Sequence, residues 1–316
     1  MHPFPRKLAS RLASGPAWAG GMLLAACLLA TSASAQIAGS EGLSPTLANI
    51  KRTHVVRLGY RESSPPFSFL DHSNRPIGYS LELCEAIVEE IGVEVDDANL
   101  GIEYVKVTSD DRIEAVVQNK IDLECGSTTA NAERAKQVAF SPLMFVAGTK
   151  LMVPRSSTIS APTDLKGKTV VVTKGTTNEQ AMHTIDKKFS LGLNIVTSPD
   201  HEQSYQMLVD GKADAFATDD ILLYGLIARH KARDKFKVTG EYLSYDPYGI
   251  MFRKGEPQLK AVVERTFQKL GSGRDLIPLY NKWFVGRLPT GEKLGVSISP
   301  QLEEAFKVLD GTQGNN

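Results

Sequence analysis

Hydroxyls, a guanidinium and a free helix start gather in one short stretch of this sequence. A strand at Asp122-Leu123-Glu124 runs to Gly126, Ser127, Thr128 and Thr129 follow, and a helix is then expected to open, with Glu133 early in it and Arg134 turned back toward the loop. Strand-end hydroxyls, the free N–H groups of a helix start and a nearby guanidinium together form a receptor for a small carboxylate. The same residues also suit an ordinary β–α turn with capping hydroxyls and a solvated arginine. Which reading holds depends on where the chain puts its other polar loop residues: Arg61, Ser109, Arg112, Thr176, Thr177, His201 and Asp219.

The elements that must position them follow from periodicity. Val55–Tyr60 reads as a strand with Arg61 at its end, and Leu81, Leu83, Cys84, Ile87, Val88 and Ile91 mark one face of a helix. Ile102–Val107 alternates as a second strand, and Ser109 caps a helix expected from Asp110 to Asn119 with Arg112 in its first turn. With the strand before Gly126 this gives β-α-β-α-β-α order, the pattern of a parallel sheet covered by helices on both faces. Phe145–Val153 is a long extended run without a helix after it. A second α/β unit then repeats the theme: strand Thr169–Val172, helix Asn178–Phe189, strand Asn194–Thr197, helix Glu202–Val209 and a strand ending at Thr218-Asp219-Asp220. Tyr242–Phe252 holds a second extended crossing, and helices are expected at Pro257–Leu270, Asp275–Trp283 and Pro300–Leu309. Two α/β halves joined by two extended crossings imply that the chain enters the second half and returns to the first. Ligands of such sheets bind beyond the carboxyl ends of the strands, where every polar candidate named above lies.

The 316 residues suffice for two domains of ordinary size. Arg6, Lys7 and Arg11 precede an apolar run from Ala17 to Ala30 and a small-x-small site at Ala33-Ser34-Ala35, the order of a secretory signal peptide cut after Ala35. Leu24-Ala25-Ala26-Cys27 offers a rival, a lipoprotein box with an anchor on Cys27. Ile37–Pro45 reads as a loose polar leader. Beyond residue 35 there remain 33 basic and 36 acidic residues, a near-neutral chain with no electrostatic case for nucleic acid or anionic lipid. Cys84 and Cys125 read as two buried small hydrophobes, with a single bridge between the first helix and the Gly126 strand end as the other reading. No Cys/His spacing suits a metal, no Gly-rich loop suits a phosphate and no G-x-S-x-G elbow is present, so neither metal nor cofactor is expected.

From about residue 47 to 285 the chain resembles the periplasmic solute-binding proteins of polar-amino-acid ABC uptake systems (solute-binding protein family 3), most closely the glutamate/aspartate binders. The likeness rests on Gly59-Tyr60-Arg61-Glu62-Ser63-Ser64, Gly78-Tyr79-Ser80, Glu124-Cys125-Gly126-Ser127-Thr128-Thr129, Glu133-Arg134, Asp164-Leu165-Lys166-Gly167-Lys168, Gly175-Thr176-Thr177, Asp200-His201 and Asp219-Asp220. Ser80 departs from the acid usual in the wider family, as glutamate binders often do. The resemblance implies an α/β, two-lobed type II periplasmic-binding-protein fold: two Rossmann-like lobes joined by two extended hinge strands, lobe 1 being 36–147 with 247–316 and lobe 2 being 148–246. It implies that Arg134, Thr129 and the helix start at Thr177 grip an α-carboxylate and that Asp219 and Ser127 hold an α-ammonium. Arg61, Ser109, Arg112 and His201 then receive a side-chain carboxylate. The implied partners are L-glutamate or L-aspartate and a membrane permease of an ABC transporter, for a protein working as a monomer.

A charge count points the same way. Arg134 and Asp219 balance an amino-acid zwitterion, which leaves Arg61 and Arg112 as an excess positive pair. A neutral side chain would leave that pair uncompensated in a water-poor cleft, whereas a second carboxylate offsets part of its charge. The rivals are a binder of another polar amino acid and an enzyme of dehydratase type on the same scaffold, which needs a poised acid; Glu62 is the carboxylate to inspect for that role.

Overall fold

The structure is a computed structural model that describes residues 42–310. The expected signal peptide and Cys27 lie outside the described residues, among which no helix is long and apolar enough to cross a membrane.

The run Thr169–Thr173 shows how the sequence builds the fold. Val170 and Val172 point to one face of their strand and meet Met182 and Ile185 of the helix Thr177–Phe189. Val171 points the other way, into a cluster with Tyr205 and Leu208 of the helix His201–Val209. A strand apolar on both faces needs helices on both faces. Around it a five-stranded sheet forms in the order Asn194–Ser198, Thr169–Thr173, Ala215–Asp219, Thr149–Pro154, Phe236–Thr239. The first three strands are parallel, and Thr149–Pro154 runs antiparallel to both its neighbours.

The other lobe repeats this order. Its sheet runs Gly101–Lys106, Val55–Tyr60, Leu123–Glu124, Met251–Arg253, Val138–Phe140, and Met251–Arg253, returning from the second lobe, is antiparallel to both its neighbours. All six apolar positions expected on the helix Tyr79–Val95 are buried. The helix Pro300–Leu309 forms over the expected residues and buries Leu302 and Phe306 in the same core as Leu58 and Leu123. Between the sheets the two crossings pair as an antiparallel ribbon, Phe145–Ala147 with Asp246–Tyr248.

Several local expectations are corrected. The helix expected after Thr129 is a single 3-10 turn, Arg134–Lys136, followed by the strand Val138–Phe140. The helix expected from Asp110 is shorter, Arg112–Val117, with Asp111 rather than Ser109 at its N-cap position and no capping side-chain bond. Pro45 opens a helix, Pro45–Thr53, instead of ending a loose leader. Each extended crossing is two strands broken at Gly148 or at Gly249-Ile250. Cys84 and Cys125 are joined in a disulfide with a Cα–Cα distance of 6.2 Å, so the reading as two separate hydrophobes fails. Helix and strand end converge there because Ser80, in the first turn of the same helix, also donates to the Gly126 carbonyl at 2.7 Å.

Candidate functional site

The parallel strands of both sheets end toward one small cavity between the lobes. Eight of the nine predicted site residues line it: Ser109, Arg112, Ser127, Thr129, Arg134, Thr177, His201 and Asp219. Thr176, Asn178 and Leu222 complete the lining. Arg61 stands behind it, buried, with its guanidinium donating to the Ser109 hydroxyl and its backbone N–H to Ser68 Oγ at 2.8 Å.

Each side chain is aimed by its element. Arg112 opens the short helix Arg112–Val117, and its guanidinium donates to the Ser109 carbonyl and, at 3.5 Å, to the Gly175 carbonyl of the other lobe. Arg134 is fixed by the 3-10 turn: its N–H donates to Asn131 Oδ1 at 2.9 Å, while its guanidinium reaches the carbonyls of Thr129 at 3.0 Å and Gly175 at 3.4 Å. From the second lobe, Thr176 caps the helix Thr177–Phe189 by accepting from the Glu179 N–H, so the first N–H groups of that helix face the first lobe's loops. Asp219 ends its strand and accepts from Asn178 Nδ2 at 2.8 Å and from the Tyr248 hydroxyl.

The cavity is electrostatically unusual. Arg61, Arg112 and Arg134 are all buried, and among the described residues none has a carboxylate within 4.0 Å. Burial, and then the charge of Arg112, push Arg61 down to about 10 and Arg134 down to about 9. Burial lowers Arg112 as well. Burial, and next the neighbouring Asp246, raise Asp219 to about 7. His201 is buried at the first residue of its helix, with Nδ1 2.7 Å from Thr173 Oγ1. Its burial and the two arginines Arg61 and Arg112 hold it well below the usual histidine range, so the ring is neutral. The buried Ser127 hydroxyl and Arg112 Nε have no hydrogen-bond partner among the described residues. Unpartnered donors are rare in protein interiors, and here two of them belong to one cavity.

Besides the apolar Leu222, three residues of the site escape the sequence reading. Asp246 accepts from Thr129 at 3.0 Å, from Thr177 at 2.8 Å and from Ser244. Asn178 orients Asp219. Glu124, inside a five-stranded sheet, is wholly buried, and neither of its carboxylate oxygens has a hydrogen-bond partner among the described residues. A Glu in a strand flanked by the apolar Leu123 and Cys125 was the available signal, because a strand covered on both faces seldom tolerates a charge. Lys150 stacks over the Tyr242 ring, partly buried, and the exposed Lys174 pairs with Asp110 at 2.8 Å.

Two α/β lobes of matching strand order, a paired double crossing and a polar cavity built by both lobes define a two-lobed binding protein with the type II periplasmic-binding-protein fold. The chain belongs to the bacterial extracellular solute-binding proteins, family 3, whose pattern matches residues 56–286. It is 39% identical over 284 residues to the L-glutamate/L-aspartate-binding protein of Pseudomonas aeruginosa, covering 89% of this chain and 94% of that one. It is 35% identical over 289 residues to the glutamate/aspartate import solute-binding protein of Salmonella typhimurium, covering 90% and 96%. Among solved structures, a mutant of ArgBP from T. maritima superimposes with a TM-score of 0.68 at 27% identity, covering 76% of this chain and all of that one.

Proposed function

We propose that this protein captures L-glutamate or L-aspartate between its lobes and delivers it to the membrane permease of an ABC transporter. The observation that carries the reading is the set of three buried guanidiniums without a carboxylate in ion-pair reach, in a cavity that both lobes build. Arg134, with Thr129 and the Thr177 helix start, grips the α-carboxylate; Asp219 and Ser127 hold the α-ammonium. Ser109, Arg112 and His201 receive the second carboxylate, with Arg61 adding its charge from behind through the Ser109 hydroxyl it donates to, and the neutral His201 serves as a hydrogen-bonding group rather than a charge. Charge-assisted bonds of this kind contribute about 1.5–3 kcal/mol each. The names of the two bacterial relatives support the same substrates.

Each lobe supplies part of the grip, so ligand favours the closed arrangement by its differential affinity for it. The lobes divide at 147/148, at the end of the first paired crossing strand, and at 246/247, within the second. Residues 1–35 are a cleaved signal peptide and the mature protein works as a periplasmic monomer.

The protein acts as a binder and not as a catalyst. Glu62 is taken up by Lys106, whose Nζ lies 2.7 Å away, and Asp219 is held by Asn178 and Tyr248 opposite the expected ammonium. A thermal-shift screen of the protein lacking residues 1–35 tests the reading. L-Glutamate or L-aspartate at about 100 times its dissociation constant adds about 2.7 kcal/mol of stability, seen as a raised Tm. A shift with neutral amino acids and none with either acid contradicts it.

A further inference from the structure

The charge count that points to a second carboxylate treats Arg61 and Arg112 as an uncompensated pair, yet a third charged group is buried with them. Glu124 pairs in register with Gly59 on one side and Met251 on the other, so it sits within the sheet and not at its rim. Among the described residues the other buried carboxylates, Glu90, Asp122, Asp219, Asp246 and Glu256, all accept hydrogen bonds from side chains or backbone; Glu124 accepts none. A buried carboxylate without donors stays charged only where a nearby positive field stabilises it.

That field is the arginine cluster. A methyl group placed on Gly126 would meet the Glu124 carboxyl group and, at 3.0 Å, Arg61 Cγ, so the acid and the arginine stem flank one point that only glycine leaves open. Glu124 acts electrostatically on Arg61, Arg112 and Arg134, and for Arg112 it is the largest charge effect opposing burial. Its oxygens accept no hydrogen bond and form no ion pair with any of the three guanidiniums, so it shapes their field without occupying the donors that a ligand needs.

We infer that Glu124 is the standing counter-charge of Arg61 and Arg112, a positioning residue that sets how strongly the pocket prefers a ligand with a second carboxylate. This deepens the dicarboxylate reading above and rests on it. With Glu124 present, two like charges stay packed side by side in the ligand-free protein, and the ligand's second carboxylate meets a moderated field. Without its charge, the pair repels freely and an incoming carboxylate gains more than a neutral side chain does.

The test is Glu124→Gln, which keeps size and removes charge, with dissociation constants for L-glutamate and, by displacement, L-glutamine. The ratio between them is expected to rise roughly tenfold in the variant. Ligand-free melting of wild type, Glu124→Gln, Arg61→Gln and the double variant supplies a reading that needs no ligand. The Tm of Glu124→Gln falls by several degrees, and adding Arg61→Gln restores part of it, since the second change removes the unbalanced charge. An unchanged or smaller ratio overturns the inference, as do losses of Tm that simply add. Should wild type bind neither acid, the functional reading fails and the melts alone decide the role of Glu124. Should Glu124→Gln fail to fold, a folded double variant supports the inference and an unfolded one overturns it.

Discussion

The hydroxyls of Thr129 and Thr177 stand 3.3 Å apart, one from each lobe, and both donate to the same oxygen of Asp246. Asp246 belongs to the returning crossing, so a single carboxylate on the hinge ties both walls of the cleft together. Replacing it by Ala removes three acceptor contacts at once. We expect Asp246→Ala to weaken dicarboxylate binding by about 1–3 kcal/mol at pH 8, with the loss appearing mainly as faster release. Calorimetry and stopped-flow dissociation check this; an unchanged affinity would show that the lobes close without the tie.

Asp219 makes binding depend on pH. Raised to about 7 by burial and by Asp246, it is protonated in mildly acidic solution and then cannot pair with an ammonium. Affinity is expected to fall as pH drops through 7, approaching tenfold per unit below it. Stability of the ligand-free protein has the opposite sign. Folded Asp219 keeps a proton that the unfolded chain releases from about pH 4 upward, so its contribution is lost as pH rises through 7. Asp219→Asn therefore melts higher than wild type above pH 7 without ligand, yet binds poorly. A flat affinity profile between pH 5.5 and 8.5 would remove Asp219 from the ammonium site.

Gly175 tests closure by shape alone. Its φ is +75°, and a Cβ there would stand 2.7 Å from Asp110 Cα and 2.8 Å from the Ser109 carbonyl oxygen, both in the other lobe. Gly175→Ala combines left-handed backbone strain with a steric wedge, for a loss of affinity of about 1–3 kcal/mol. The second lobe's fold is expected to be kept, as read by far-UV circular dichroism. Wild-type affinity in this variant would mean that the bound form is more open than the structure described here.

The Cys84–Cys125 bridge closes a loop of 41 residues and pins the strand end that leads into Ser127. Replacing both by Ala is expected to lower stability by about 3–4 kcal/mol. Denaturant unfolding with and without reductant checks this, and a midpoint unmoved by reductant in the wild type would contradict it.

How much of this was legible in the sequence depended on whether the signal was local. The double α/β pattern was, because Leu81 to Ile91 declares its face through helical spacing and Val170 to Val172 reads as a continuous apolar strand. The loop ends that carry Arg61, Arg112, Arg134 and Asp219 were equally readable, since α/β sheets place polar residues beyond their strand ends. The helix expected after Thr129 was wrong because capping residues specify a start and not a length; Asn131 and Thr129 hold Arg134 in one turn, after which Val138–Phe140 joins the sheet. Asp246 was illegible, its partners lying 69 and 117 residues away along the chain.

The central claim is that Arg61 and Arg112 select a second carboxylate while Arg134 reads what all amino acids share. Calorimetric titration of wild type, Arg61→Ala and Arg112→Ala with L-glutamate, L-aspartate and L-glutamine tests it most directly. Wild type is expected to bind at least one acid at micromolar or tighter, about −8 kcal/mol or better. A loss of about 3–5 kcal/mol for that acid is expected in each arginine variant. Binding of glutamine with neither acid bound, or dissociation constants for the acids unmoved by removing either arginine, would contradict it.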